Sequence, residues 1–243
     1  ISTRYVAGGE VTERLVAYYV ERAKGGAAMA ITEPLAMREG QASAIRLRVF
    51  DQPNMDAIAR WADAVRRHDC HLLAQVQDVG RGRHANGRNP HAIGPSALAD
   101  DLSWTVPRAL TTAEVRAMIA QFALSSRKLQ RAGFSGIEVS GGHGHLMHQF
   151  LSPWSNRRED DYGGSLENRC RLIDELIDAL RAECGREFVI GLRLPGDDGV
   201  PGGIGPDESA ALTRHFAKPE RVDFFDYVQG SHHRTLEMHV PDL

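Results

Sequence analysis

The densest run of chemically capable side chains is Gly141-Gly142-His143-Gly144-His145-Leu146-Met147-His148-Gln149-Phe150-Leu151-Ser152-Pro153, with imidazoles at i, i+2 and i+5. A His-x-His pair at the end of a strand can hold a divalent metal for hydrolysis if further His or Asp ligands arrive from later in the chain. Asp198, His232 and His233 are the residues able to do so. The same pattern suits a tight Gly-Gly turn whose histidines are satisfied inside a loop, and the residue types alone leave both readings open. Other polar clusters recur along the chain: Gln75, Gln77 and Asp78; Ser140, His143 and His145; Arg193, Asp197 and Asp198; Gln229, His232 and His233.

Each of those clusters follows a short apolar run, and each run follows an amphipathic stretch. Leu15, Val16, Tyr19, Val20 and Ala23 fall on one helical face, and after Gly25-Gly26 comes the apolar segment 27–32. Met55, Ile58, Ala62 and Val65 repeat the helical spacing before a strand at 71–76. Thr111 and Glu114 form a capping-box signature for a helix striped by Val115, Met118, Ile119, Phe122 and Leu129; Gly133 stops it, and a strand follows at 137–139. Leu172, Ile173, Leu176, Ile177 and Leu180 mark a helix beginning near Ser165, followed by a strand at 188–194, a helix at 207–217 and a fifth strand at 222–228. The strands are too uniformly apolar to have a wet face, which predicts an α/β fold with a parallel sheet covered by helices. An open doubly wound sheet and a (β/α)8 barrel both satisfy that. The open sheet would carry a G-x-G-x-x-G turn after a strand, and no strand exit has one. In a barrel the four polar clusters converge on one mouth.

At 243 residues, 42% hydrophobic and 25% charged, with 24 Gly and 11 Pro scattered, the composition excludes disorder, collagen and coiled coil. A net charge of −3 with both signs interspersed argues against nucleic acid or an anionic membrane as partner. Three widely spaced cysteines, Cys70, Cys170 and Cys184, suggest neither a disulfide framework nor a Cys-rich metal site, which makes a reduced cytoplasmic compartment the expectation. No apolar run approaches the ~18 residues that span a bilayer, and no signal-peptide pattern is present. The chain begins at Ile1 rather than Met, as expected of a processed, trimmed or excerpted piece.

Gln149-Phe150-Leu151-Ser152-Pro153, Asn156-Arg157, Asp161-Tyr162-Gly163-Gly164-Ser165 and Glu167-Asn168-Arg169 together resemble the long signature of the old yellow enzyme superfamily, the NADH:flavin oxidoreductases. The resemblance extends to Arg22-Ala23 with Gly25-Gly26, to Gln75-Val76-Gln77-Asp78-Val79-Gly80-Arg81, to Gly94-Pro95-Ser96, to Gly133-Phe134-Ser135-Gly136-Ile137-Glu138 and to the strand ending in Arg193. Within that superfamily, the resemblance is to the branch of 2,4-dienoyl-CoA reductase and trimethylamine dehydrogenase. It implies a (β/α)8 barrel with FMN across the C-terminal mouth, NADH or NADPH as electron donor and a small-molecule substrate. By the same resemblance, Gln75 would hydrogen-bond the flavin pyrimidine edge and Arg193 would lie near N1 and the C2 carbonyl. A fixed guanidinium there stabilises the anionic reduced flavin. For Gln75 the alternative is a strand-end amide capping a neighbour, and for Arg193 an ion pair with Asp197 or Asp198.

This sequence departs from the family at the substrate. Many members carry two histidines that bind the activating oxygen and a tyrosine that protonates the reduced alkene. Here the first histidine position is Ser140, the second is His143, and the tyrosine position is His145; the family's usual histidine in the third-strand motif is Asp78. Ser140 and His143 are therefore the expected substrate-binding residues, and His143 and His145 the expected catalytic ones, His145 as an acid or paired with Asp78 or Glu138. No metal ligand set is assigned. The changes keep two reactions in view: reduction of an enone or enoyl substrate, and oxidation of an N-methylated amine, which needs no proton donor to carbon. Asp160, Asp161, Tyr162, Gly163, Gly164 and Ser165 are expected to be architectural, with Ser165 capping a helix.

About five strands are legible where the barrel requires eight. The expectation is one FMN-binding barrel domain over 1–243 that lacks the family's first strand and last two βα units, including the loops that grip the FMN phosphate. An iron–sulfur cluster would belong only to a longer parent chain, and homo-oligomerisation is left open.

Overall fold

Capping residues set the helix ends before any long-range contact is considered. Thr12, in extended conformation, accepts the Leu15 amide on its Oγ1 at 3.1 Å and opens α1 (Glu13–Lys24). The computed structural model describes residues 2–41, 43–81, 91–99 and 105–230. After α1 come β1 (Met29–Leu35), α2 (Met55–Arg66), β2 (His71–Val76), β3 (Ile93–Gly94), β4 (Arg108–Ala109), α3 (Thr112–Arg131), β5 (Gly136–Ser140), α4 (Leu146–Leu151), α5 (Leu166–Cys184), β6 (Val189–Asp197), α6 (Pro206–Phe216) and β7 (Phe224–Gln229). The capping box before α3 is reciprocal. Glu114 N–H donates to Thr111 Oγ1 at 3.2 Å, and the Glu114 carboxylate accepts from Thr111 N–H at 2.9 Å. Arg108 beside that carboxylate, with Thr111, holds it down at about 2. Ser165 Oγ accepts the Asn168 amide at 3.3 Å at the start of α5, as expected.

The main sheet has the order β1-β2-β5-β6-β7, with β3 and β4 forming a separate pair. The order rises monotonically along the chain. A doubly wound sheet reverses at a switch point, whereas successive right-handed βαβ units that never reverse follow the barrel succession, of which these are five strands. The central strands β2 and β5 are buried almost throughout, as the apolar runs predict. The outer strands differ. In β7, the last strand described, the first three residues are half-buried and Tyr227 and Gln229 are exposed, Tyr227 at 48%.

The chain divides into two compact units. The first comprises Ile1–Val76, Met118–Val139 and Asp178–Gly191. Its core includes Leu15 and Tyr19 of α1 and Ile58, Trp61 and Val65 of α2, with the Trp61 ring 5.1 Å from Tyr19 and 5.5 Å from Phe134. In β1, Pro34 has no N–H to give, and the register against β2 slips between Ile31 and Pro34. Thr32 Oγ1 takes over as acceptor for the Gln75 backbone N–H at 3.2 Å. Gly136 lets β5 close on β6: an added Cβ would lie 2.3 Å from the Val189 carbonyl oxygen.

The second unit comprises Gln77–Ala117, Ser140–Ile177 and Leu192–Leu243. Phe150 and Leu151 of α4, Tyr162, Leu172, Ile173 and Leu176 of α5, and Leu212 and Phe216 of α6 are fully buried. The signature residues build its frame. Asn156 Nδ2 donates to the carbonyls of Phe150 and Tyr162, both at 2.7 Å, and the Tyr162 hydroxyl donates to Glu175 at 2.7 Å. Trp154, half-buried, lies under the Arg81 guanidinium at 4.6 Å. Among the described residues no helix is long and apolar enough to cross a membrane, and the three cysteines are free and buried.

Candidate active site

In the second unit, β5 ends at Ser140 and the chain turns through Gly141-Gly142-His143-Gly144-His145 into α4. Gly141 N–H donates to the Arg193 carbonyl at 2.8 Å, and a Cβ on Gly141 would lie 2.7 Å from that oxygen. A Cβ on Gly142 would meet Val228 Cγ2 at 2.3 Å. Only glycine allows the turn to pass this close to β6 and β7. His143 then takes φ +59 and Gly144 φ +72, a left-handed pair that no strand or helix would accommodate.

Ser140 is 1% exposed, and its Oγ has no hydrogen-bond partner among the described residues. A buried hydroxyl left unpaired costs about 1–3 kcal/mol, so such groups are normally satisfied. His143 is half-buried; its pKa is pushed down to about 4, first by burial, then by the neighbouring Arg193 guanidinium, with Asp226 opposing. Its imidazole is neutral near pH 7 and can donate one N–H and accept at the other nitrogen. Its ring centroid lies 6.3 Å from that of His145. His145 is 5% exposed and stands at the N-cap of α4 in extended conformation, its carbonyl accepting from Gln149 N–H at 2.8 Å.

Arg193 does not pair with Asp197 or Asp198. Its Nε and Nη2 both reach Asp226 Oδ2 on β7, at 2.7 and 2.5 Å, with the two side chains 20% and 35% exposed. Asp197 instead accepts Gly199 N–H, and Asp198 lies in a separate buried pair with His148. Asp226 was not singled out in the sequence, although an acid within the apolar run Phe224-Phe225-Asp226-Tyr227-Val228 is the signal that marks it.

Ser140, His143, His145 and Arg193 thus come together in the second unit. Gln75 belongs to the first unit, where its Nε2 donates to Glu138 Oε1 at 2.8 Å. Glu138 is thereby engaged by Gln75, its register partner, and Asp78 Oδ1 accepts Gly80 N–H at 2.9 Å. His232 and His233 lie outside the described residues, and among the described residues no three His, Cys, Asp or Glu side chains are grouped so as to hold a metal ion. His148 has both ring nitrogens engaged, accepting Gly144 N–H at Nδ1 and facing Asp198 at Nε2.

Comparison with known proteins gives this arrangement a context. The chain is 34% identical over 242 residues to N,N-dimethylglycine/sarcosine dehydrogenase of Chromohalobacter salexigens, covering 97% of this chain and 35% of that protein. It superposes with a TM-score of 0.84 and 26% identity on a 2-naphthoyl-CoA reductase complexed with 2-naphthoyl-CoA, covering 93% of this chain and 36% of that one. Morphinone reductase in complex with tetrahydroNAD superposes with a TM-score of 0.80 and 26% identity, over 92% of this chain and 67% of that one. The chain therefore spans about a third of the length of the first two of these proteins. The profile of the NADH:flavin oxidoreductase / NADH oxidase family matches residues 2–239, and the chain belongs to that family, within the old yellow enzyme superfamily.

Proposed function

We propose that the chain carries part of an FMN-dependent oxidoreductase site that moves a hydride between NAD(P)H, flavin and an enone- or enoyl-type small molecule. The observation that carries this is the buried, unpartnered Ser140 Oγ, on the strand end whose next residue is hydrogen-bonded to Arg193. A buried hydroxyl of that kind calls for a ligand oxygen or nitrogen as its partner. The group implied by the family fits the donor present in the second unit: Arg193 would hold FMN as a fixed cation, while Gln75, the amide the family resemblance also points to, donates its Nε2 to Glu138 within the first unit. When bound, FMN supplies a two-electron hydride acceptor and donor.

The chain's own residues do the rest. Asp226 fixes the Arg193 guanidinium in one orientation, so that its charge is preorganised where negative charge would develop. His143, neutral at physiological pH, donates an N–H to the substrate oxygen, and Ser140 Oγ–H adds a second, weaker donor. His145, buried beside His143, delivers a proton to carbon in place of the family's tyrosine. The three free, buried cysteines support a cytoplasmic setting.

Oxidation of an N-methylated amine is the second reading. Ser140 removes one imidazole from the oxygen-binding pair and His145 replaces the tyrosine, while a neutral His143 places no added positive charge against an amine. The similarity to a dimethylglycine/sarcosine dehydrogenase supports it. Turnover of a cyclic enone with NADPH and of an N-methylated amino acid, each in wild type and His145→Ala, separates the two. If His145 is the proton donor, enone reduction falls by about 100-fold or more. Unchanged enone turnover removes His145 from that role, and amine turnover that survives the substitution selects the second reading.

A further inference from the structure

His148 and Asp198 are each 2% exposed and take no part in the chemistry proposed above. The Gly144 backbone N–H donates to His148 Nδ1 at 2.7 Å, so this nitrogen carries a lone pair. The other ring nitrogen, Nε2, faces Asp198 Oδ2 at 3.4 Å and holds the proton. Asp198 is itself immobilised: Oδ1 accepts Val200 N–H at 2.9 Å, Oδ2 accepts Ile204 N–H at 2.8 Å, and Ser152 Oγ lies 3.4 Å from Oδ2. A Cβ on Gly203 would lie 2.5 Å from both carboxylate oxygens, so the loop after β6 closes round this side chain only because glycine stands there. Burial alone would raise the Asp198 carboxyl, but His148 and the Ile204 and Val200 amides outweigh it and keep the group ionised.

Gly144 lies between the two histidines assigned to chemistry, in a turn where His143 adopts φ +59. A non-glycine residue in that region is strained by roughly 1–2 kcal/mol and stays there only when its surroundings over-determine it. Two side chains of α4 do so, His148 on the Gly144 amide and Gln149 Nε2 on the Gly144 carbonyl at 2.7 Å.

We propose that His148 is a positioning residue: by accepting the Gly144 amide on Nδ1, with its tautomer fixed by Asp198, it sets the orientation of His143 and His145. The role in turnover rests on the assignment of those two histidines above; the clamp itself rests on geometry alone.

Two substitutions separate the two ends of the ring. In His148→Asn the side-chain carbonyl lies where Nδ1 was and can still accept from Gly144, while the contact to Asp198 is lost. In His148→Gln the amide reaches where Nε2 was and can still donate to Asp198, while the acceptor for Gly144 is lost. Hydrogen exchange of the Gly144 amide, read by NMR on the full chain, should be protected in wild type and His148→Asn and at least ~10-fold faster in His148→Gln. kcat should fall about 10- to 100-fold in His148→Gln with KM nearly constant, and His148→Asn should recover most of that loss, since small misplacements of a catalytic group cost this much. An unprotected Gly144 amide in wild type, or equal loss in both variants, overturns the proposal. A protein without bound flavin overturns the functional assignment instead, and the exchange pattern still decides the clamp.

Discussion

Replacing Ser140 by alanine should stabilise the flavin-free protein and weaken substrate binding at the same time. The side chain is 1% exposed, with no partner for its hydroxyl among the described residues. An unsatisfied buried hydroxyl costs about 1–3 kcal/mol, and alanine removes that oxygen while keeping the β-carbon. After allowing for lost van der Waals contacts, a net gain of about 1–2 kcal/mol remains, which for a chain of this size raises Tm by roughly 2–8 °C. With substrate present the hydroxyl has a partner, and a neutral hydrogen bond is worth about 0.5–1.5 kcal/mol, so KM should rise by roughly 2- to 13-fold. Thermal unfolding of flavin-free wild type and Ser140→Ala gives the first quantity, and steady-state kinetics of the flavin-loaded proteins gives the second. A lower Tm in the variant would mean that the hydroxyl is already satisfied in the free protein, and the ligand argument built on it would fall.

The depressed pKa of His143 makes stability depend on pH. The unfolded chain takes up this proton near pH 6.5 and the folded one only near 4, so the contribution is intact above 6.5 and is lost as pH falls from 6.5 to 4, by up to ~3 kcal/mol. Urea unfolding across that window should show stability rising with pH, and His143→Gln should flatten the dependence; an unchanged slope removes His143 as its source. Gly136→Ala drives a Cβ to 2.3 Å from the Val189 carbonyl, a backbone atom with little freedom to retreat, and should destabilise by about 1–3 kcal/mol in the same assay. A neutral effect would show that β5 and β6 lie farther apart than described.

Much of the fold was legible because the helices are long enough to repeat their apolar spacing and carry explicit caps. The run 71–76 coincides with β2, and Thr111 with Glu114 closes the box it was expected to close. Three short elements were not legible. α4 spans only Leu146–Leu151 and is buried on every side, so it shows no periodicity, and β3 and β4 are two residues each. At the site, the partner of Arg193 was sought too near in sequence. Asp197 shares its face of β6 but lies four residues along, roughly 13 Å away in a strand, whereas a neighbouring strand is about 4.8 Å distant. Asp226, on β7, is the acid within reach.

Cofactor binding is the most direct test of whether Arg193 serves a flavin. The visible absorption spectrum of the purified protein, followed by quantification of FMN released on denaturation, should show flavin bands and about one FMN per chain, both lost or greatly reduced in Arg193→Ala. A colourless protein that releases no flavin and does not perturb the spectrum of added FMN would contradict the assignment of this site.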